Sequence, residues 1–291
     1  MKLTFLGTGG GRFATITQRR MTGGFRIDDF DDNNFHIDPG PGALVRSIQF
    51  GLSPSKLDGV FISHAHTDHY TDGEVLIEAM TRGMTKEHGI IIGSRSVFDG
   101  YKQWGPSVSK YHMGKSEKLV LSPNKSKILG NLKIKGTKTI HGDPTCIGFQ
   151  MKSEDLSISY TADTSYFEKL SHYHKGADIL IASVLRPGIL GNESISGHMC
   201  TGNFKNLINE VKPKLAIMTH FGFKMLNEDP IVEANLIKEE TGIPTIAAFD
   251  GMQVCINNKN PKDFKISRLK VNDNPNRNFN DIFMPSKSSK K

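Results

Sequence analysis

His64-Ala65-His66-Thr67-Asp68-His69 puts three imidazoles and a carboxylate into six residues, directly after the apolar run Val60-Phe61-Ile62. That run reads as the centre of a buried strand from Leu57 to Ser63, so the cluster stands at a strand end. Packing gives no reason for four ligand-type side chains at such a place. In extended chain alternate residues share a face, so His64 and His66 point the same way. Asp68 and His69 lie past the turn and can face a second point nearby. This spacing suits two metal ions bridged by a hydroxide, with nitrogen and oxygen donors of the kind zinc takes.

Outward from the cluster, strands and helices alternate in a consistent pattern. Residues 1–7 read as a strand running into the flexible turn Gly7-Thr8-Gly9-Gly10-Gly11, whose spacing fits neither GxGxxG nor GxxxxGK[ST]. Short strands are expected at 23–27 and 34–38, the second breaking at Pro39-Gly40-Pro41-Gly42. Helices are expected at 43–51, 72–84, 165–172, 202–211 and 230–241. Further strands are expected at 89–93, 118–121, 131–141, 146–152, 156–161, 178–182, 214–219, 244–249 and 252–256. Residues 94–117 read as a loop or lid. Strand-rich halves with interspersed helices predict an α/β protein built as a four-layer α/β/β/α sandwich over residues 1–256. From 257 to 291 the chain turns to Asn, Lys, Ser and Pro and reads as a basic, poorly ordered tail or loosely docked arm.

The chain of 291 residues is 37% hydrophobic and 23% charged, a balance that supports a buried core. No run of about 18 apolar residues occurs, so no membrane partner is expected, and the apolar start is too short for a signal peptide. Cys146, Cys200 and Cys255 are odd in number and far apart, which argues against a disulfide framework and for a reducing, cytoplasmic setting. The net charge is +7, but Lys259 to Lys291 holds nine Lys/Arg against three Asp. The positive charge therefore belongs to the tail and does not mark the catalytic face.

The hexapeptide has the form HxHxDH, and Ile37-Asp38-Pro39-Gly40 forms an aspartate-bearing strand turn before it. In both, the sequence resembles the metallo-β-lactamase superfamily. The resemblance implies the same four-layer sandwich, with metals in the cleft between sheet edges. It also asks for a third histidine, a bridging aspartate and a last histidine, each at a strand end. His141 follows Lys135-Gly136-Thr137-Lys138-Thr139-Ile140, Asp163 follows Ser157 to Ala162, and His220 follows Leu215 to Thr219. By carry-over, His64, His66 and His141 hold one metal, Asp68, His69 and His220 the other, and Asp163 bridges. Two zinc ions are expected, with manganese or iron as alternatives, and Asp38 is expected to support the motif loop by hydrogen bonds.

The resemblance also narrows the reaction. Ser196-Gly197-His198-Met199-Cys200 places His198 where the ribonuclease Z and phosphodiesterase branch has a histidine that contacts the scissile phosphate or protonates the leaving oxygen. Met199 departs from the acidic residue or serine common beside it. Asp68 and His198 are thus the residues expected to act in the chemistry. Ribonuclease Z carries a tRNA-gripping arm between the third histidine and the bridging aspartate, and here only 22 residues separate His141 from Asp163. A compact phosphodiesterase like the cyclic phosphate phosphodiesterases is the better fit, although the cysteine-based structural zinc site frequent there has no counterpart. The expected partner is a small phosphodiester or nucleotide, with nucleic acid and a second copy of the chain as further candidates. A lactonase or thioesterase on the same metal centre is the first rival. A nucleic-acid or partner-binding protein acting through the basic tail is the second. His112 and Arg186 are minor candidates for substrate contact, and His172 and His174 are given no role.

Overall fold

In the strand that precedes the hexapeptide, Phe61 faces one core while Val60 and Ile62 face another. That two-residue alternation recurs wherever a strand is buried on both sides, and it builds the layers. Ile90 and Ile92 join Phe61, and Ile91 joins Val60. Ile179, Ile181, Leu215 and Ile217 enter that same central core, whereas Leu180, Ala182, Ala216 and Met218 enter a third. Three apolar interfaces separate four layers. A fully buried residue of this kind stabilises by roughly 1.5–3 kcal/mol, so a one-residue slip of any central strand would be opposed many times over.

The computed structural model describes residues 1–189 and 195–272. The first sheet takes β1 (Lys2–Phe5), β2 (Phe25–Phe30), β3 (Asn33–Ile37), β4 (Gly59–Ile62), β5 (Ile90–Gly93) and β6 (Glu117–Val120). The second takes β7 (Ser126–Leu129), β8 (Leu132–Lys138), β9 (Ile147–Lys152), β10 (Ser157–Tyr160), β11 (Ile179–Arg186), β12 (Met199–Cys200), β13 (Leu215–Thr219) and β14 (Thr245–Ala247). The chain then returns to the first sheet through β15 (Met252–Asn257) and β16 (Asn260–Arg268). The strand orders are β16-β15-β1-β2-β3-β4-β5-β6 and β14-β13-β11-β10-β9-β8-β7, with β12 beside β11. β3 to β6 run parallel, as do β10, β11, β13 and β14. The outer helices cover the sheets by ordinary helical spacing: Leu76, Ile77 and Met80 on one side, and Phe204, Leu207, Ile208 and Val211 on the other.

Three expectations need correction. The domain does not stop at residue 256, because β16 pairs antiparallel with β15 from Met252↔Arg268 to Asn257↔Asn260. Its sequence hid it: β16 is an edge strand, and only Pro261 and Phe264 within it are withdrawn from the exposed surface. Of the expected tail, residues 273–291 lie outside the described part. The helix expected at 165–172 runs from Leu170 to His174, since Lys169 takes the left-handed conformation at φ 70° and delays its start. The segment 94–117 is not one loop but contains helical turns at Arg95–Phe98 and Lys110–Met113.

Two histidines are buried far from the hexapeptide. His36 in β3 donates from Nε2 to the carbonyl of Gly23 at 2.8 Å, and burial pushes its pKa down to about 3. His174 sits under the second sheet against the Ser159 hydroxyl at 2.7 Å, and burial again pushes it down to about 3. Both are neutral in the folded protein at pH values where the unfolded chain takes up protons. The unfolded state therefore binds more protons below its ordinary histidine pKa of 6.5, and stability falls as pH drops from there toward 3. Each histidine should remove about 2 kcal/mol between pH 7 and pH 5. Urea unfolding of His174→Leu at the two pH values should show a pH-dependent loss smaller by about that amount than wild type; an identical loss would refute the assignment.

Candidate active site

Five strands bring their C-terminal ends to one edge. Asp38 follows β3, His64 follows β4, Asp163 follows β10 and His220 follows β13. His141 follows β8, which runs with β10 because both are antiparallel to β9. Ligands in sheets with parallel strands gather outside such ends. The turns are sharp: Asp38, Ala162 and His220 adopt positive φ of 49°, 52° and 61°. Non-glycine residues held in this way carry strain of order 1 kcal/mol or more each, which surrounding contacts must offset. His66 opens the one-turn helix Thr67–Tyr70, which carries Asp68 and His69 around to the second position that the spacing predicts.

The imidazoles meet in two groups. His64 Nε2 lies 2.9 Å from His66 Nδ1, which lies 3.1 Å from His141 Nε2. His69 Nε2 lies 3.1 Å from His220 Nε2, and Asp68 Oδ2 stands 3.6 and 3.3 Å from those two nitrogens. Asp163 Oδ2 stands between the groups, 3.4 Å from His69 Nε2, 3.3 Å from His220 Nε2 and 3.9 Å from His141 Nε2. Its second oxygen, Oδ1, is buried with no partner among the described residues. All seven residues read from the sequence therefore converge. His198 joins them, with Nδ1 3.6 Å from Asp163 Oδ2 and its ring 4.9 Å from that of His141.

The backs of the rings fix which nitrogen faces inward. His141 Nδ1–H donates to the carbonyl of Gly197 at 2.8 Å, and His69 Nδ1–H donates to Asp38 Oδ2 at 2.9 Å. The Ser63 hydroxyl donates to Asp38 Oδ2, so it accepts from His64 Nδ1–H. In each ring the bare Nε2 lone pair is left facing the centre. Lone pairs and carboxylate oxygens crowded at about 3 Å repel one another unless a cation lies among them, so the donor set fits divalent metal. Asp38 holds this arrangement, taking bonds from Ser63 N–H (2.7 Å), the Ser63 hydroxyl (2.9 Å), Tyr160 Oη (2.9 Å) and His69. Tyr160 comes from the second sheet, so this carboxylate ties the two sheets together beneath the site.

The glycine segment after β1 serves the same site and is not a flexible turn. Gly10 lies flat against His220, where a Cβ would come within 2.2 Å of the ring. Gly11 N–H donates to Asp68 Oδ2 at 2.9 Å. Asp250 clamps the segment by accepting from Thr8 N–H (2.9 Å), the Thr8 hydroxyl (2.7 Å) and Met21 N–H (2.8 Å).

The electrostatics follow from burial and from the three carboxylates. Burial pushes His64 well below its ordinary value and brings His66 and His198 each down to about 4. Burial opposes charge on His69 too, but Asp163, Asp68 and Asp38 outweigh it and raise its pKa. Burial would raise Asp163 and Asp68, yet His220 and His69 around the first, and His69 and His220 around the second, hold both below the usual carboxylate range. Metal binds neutral imidazoles and ionised carboxylates, so His64, His66, Asp68 and Asp163 are already in the binding form, and a cation at His69 would displace the proton that the carboxylates draw onto that ring.

Above the two groups opens a cleft of about 660 Å³. Asp68, Asp163, His66 and His198 line its floor, and Arg12, Arg186 and Lys224 line its walls with Phe13, Trp104 and Phe223. Of these wall residues, sequence reasoning reached only Arg186. His112 does not line the cleft, since it pairs with Glu74 (3.1 Å) and Glu78 (3.0 Å). Cys200 is buried where the helix Thr201–Val211 begins.

A family profile described as the Beta-lactamase superfamily domain matches residues 33–221, which includes every residue of the two groups. Protein MJ1374 of Methanocaldococcus jannaschii is 46% identical over 257 residues, covering 87% of this chain and 94% of that protein. Ribonuclease Z of Thermococcus kodakarensis is 23% identical over 309 residues, covering 86% and 93%. A solved structure of a diphosphatase from the PhnP family superposes with a TM-score of 0.65 at 18% identity, covering 88% of this chain and 98% of that one. Fold, donor set and a match across more than half its length agree: the chain belongs to the metallo-β-lactamase superfamily and is a metal-dependent hydrolase.

Proposed function

We propose that the chain is a dinuclear zinc phosphodiesterase acting on a small or nucleotidic phosphodiester. One observation carries the reading: Asp163 Oδ2 stands between the two donor groups, at the floor of a cleft whose walls hold Arg12, Arg186 and Lys224. In the described residues no carboxylate pairs with Arg12 or Arg186, so their charge is available to a phosphate. The scissile bond of a lactone or thioester carries no negative charge for Arg12 and Arg186 to meet at the floor, whereas that of a phosphodiester does. A ribonuclease Z and a PhnP-family diphosphatase among similar proteins support phosphoester chemistry. Between His141 and Asp163 the chain makes only β9 and β10 with a short turn, which favours compact substrates over tRNA.

His64, His66 and His141 would hold one ion, Asp68, His69 and His220 the other, and Asp163 would belong to both. Bound metals supply Lewis acidity and bring water ionisation toward neutral pH. The remaining work falls to this chain's own side chains. Arg12, Arg186 and Lys224 hold and orient the phosphate. Gly11 N–H and the Asp250-clamped segment fix Asp68, and Asp38 fixes His69 through its ring proton. His198 provides the proton for the departing oxygen. Burial keeps its pKa near 4 in the protein alone, while Asp163 pulls the other way. A phosphate anion held beside the ring favours its charged form and so favours the imidazolium that the leaving group needs.

Two experiments test this reading. Dialysis against chelator should abolish hydrolysis of bis-p-nitrophenyl phosphate, zinc should restore it, and elemental analysis of the active protein should find two ions per chain. One ion, or turnover of lactones or thioesters without phosphodiesters, would overturn the proposal. His198→Ala should slow cleavage of a dinucleoside monophosphate by about a hundredfold or more, because its alkoxide leaving group needs a proton. The same variant should lose much less on a p-nitrophenyl ester, whose leaving group departs unprotonated. Equal losses on both would remove His198 from the proton-donor role.

A further inference from the structure

The chain has a single tryptophan, and it lies in the cleft instead of a core. Trp104 stands edge-on to His66, with ring centroids 4.6 Å apart at 69°. Its indole nitrogen is buried without a partner among the described residues, so the cleft meets ring carbon and not the N–H. Burying that N–H unpaired costs free energy that packing of a surface turn does not explain.

The turn that carries Trp104 is built to hold still. Tyr101 N–H donates to the Trp104 carbonyl at 2.8 Å and Trp104 N–H to the Tyr101 carbonyl at 3.0 Å. Gly105, at φ +62°, is pressed so close to Ser96 that a Cβ would come within 1.8 Å of its carbonyl oxygen. The Ser96 hydroxyl in turn donates to Asp143 Oδ2, and that same oxygen accepts from Ala65 N–H at 3.2 Å, between His64 and His66. Asp143 is fully buried. One carboxylate therefore sets the tryptophan turn and the histidine loop in a fixed relation. A flat apolar ring held rigidly beside a phosphate-binding floor has the form of a stacking platform, and rigidity lowers the entropy lost on binding.

We infer that Trp104 stacks a nucleobase of the substrate, so the preferred phosphodiesters are nucleotidic and not simple alkyl esters. This rests on the phosphodiesterase reading and adds to it the identity of one ester group. Cations on the walls meet the phosphate, and the ring next to His66 meets the base of the nucleoside esterified to it. Base–aromatic stacking is tolerant of sequence, so the inference predicts preference for a base and little choice among bases.

Thymidine 5′-p-nitrophenyl phosphate and methyl p-nitrophenyl phosphate share a leaving group and differ in the second ester group, a base-bearing nucleoside against a methyl. With zinc-loaded protein, the ratio of kcat/KM for the thymidine ester to that for the methyl ester should fall by about tenfold or more in Trp104→Ala and recover most of its value in Trp104→Phe. An unchanged ratio in Trp104→Ala would overturn the inference. Because the tryptophan is unique, its fluorescence reports the same contact in the wild-type protein. Thymidine 5′-monophosphate should quench it in a saturable manner, and inorganic phosphate at equal concentration should not. Equal quenching by both would also overturn it. If neither ester is turned over, the phosphodiesterase reading fails, and the fluorescence titration still decides whether Trp104 receives a base.

Discussion

Everything around the cleft answers one electrostatic constraint: lone pairs and carboxylate oxygens of buried side chains are forced together at about 3 Å. Such an arrangement is unfavourable in the protein alone and favourable around divalent cations. The opposite shifts of His64 and His69 express the tension, since burial strips the charge from one ring while three carboxylates draw charge onto the other. The sandwich supplies the force that keeps the donors in place. Its three apolar cores fix the strands, the strands fix their ends, and backbone or hydroxyl partners behind the rings fix the tautomers. Asp38 is the point where these constraints meet, because donors from both sheets converge on it.

Four of the donors, His64, His66, Asp68 and His69, were legible at once because they are close neighbours in the chain. Asp163, His141 and His220 were legible at one remove, as ligand-type residues just past apolar strands. What stayed hidden depends on tertiary placement. Arg12, Phe13 and Lys224 sit on short helices whose positions follow from Gly10 packing on His220 and from the turn after it, and no local pattern announces that. Trp104 lay inside a stretch read as a lid, and the histidine in that stretch that drew notice, His112, pairs with two glutamates instead. The glycines after β1 were read as freedom. Their use is close approach: a ring fits against Gly10, and a backbone N–H of Gly11 reaches a carboxylate.

Strain and support divide the work in the site. The left-handed residues Asp38, Ala162 and His220 turn the chain abruptly so that side chains from different strands meet. The cost is met where strain occurs, by four donors on Asp38, by Asp163 among the imidazoles, and by the Asp250-clamped segment beneath His220. These supports fix the floor, while the walls of the cleft face the space above it.

β16 closes the first sheet with Lys262, Lys265 and Arg268 exposed and with Pro261 near its start. A sheet rim with free backbone donors and acceptors invites another chain to pair with it, and lysines, arginines and proline on the rim discourage that. The positive charge that looked like a property of a loose extension is, in this part of the chain, placed along the outermost strand. There it lies along the open rim of the sheet, where charges of one sign oppose the edge-to-edge annealing that a bare strand would invite.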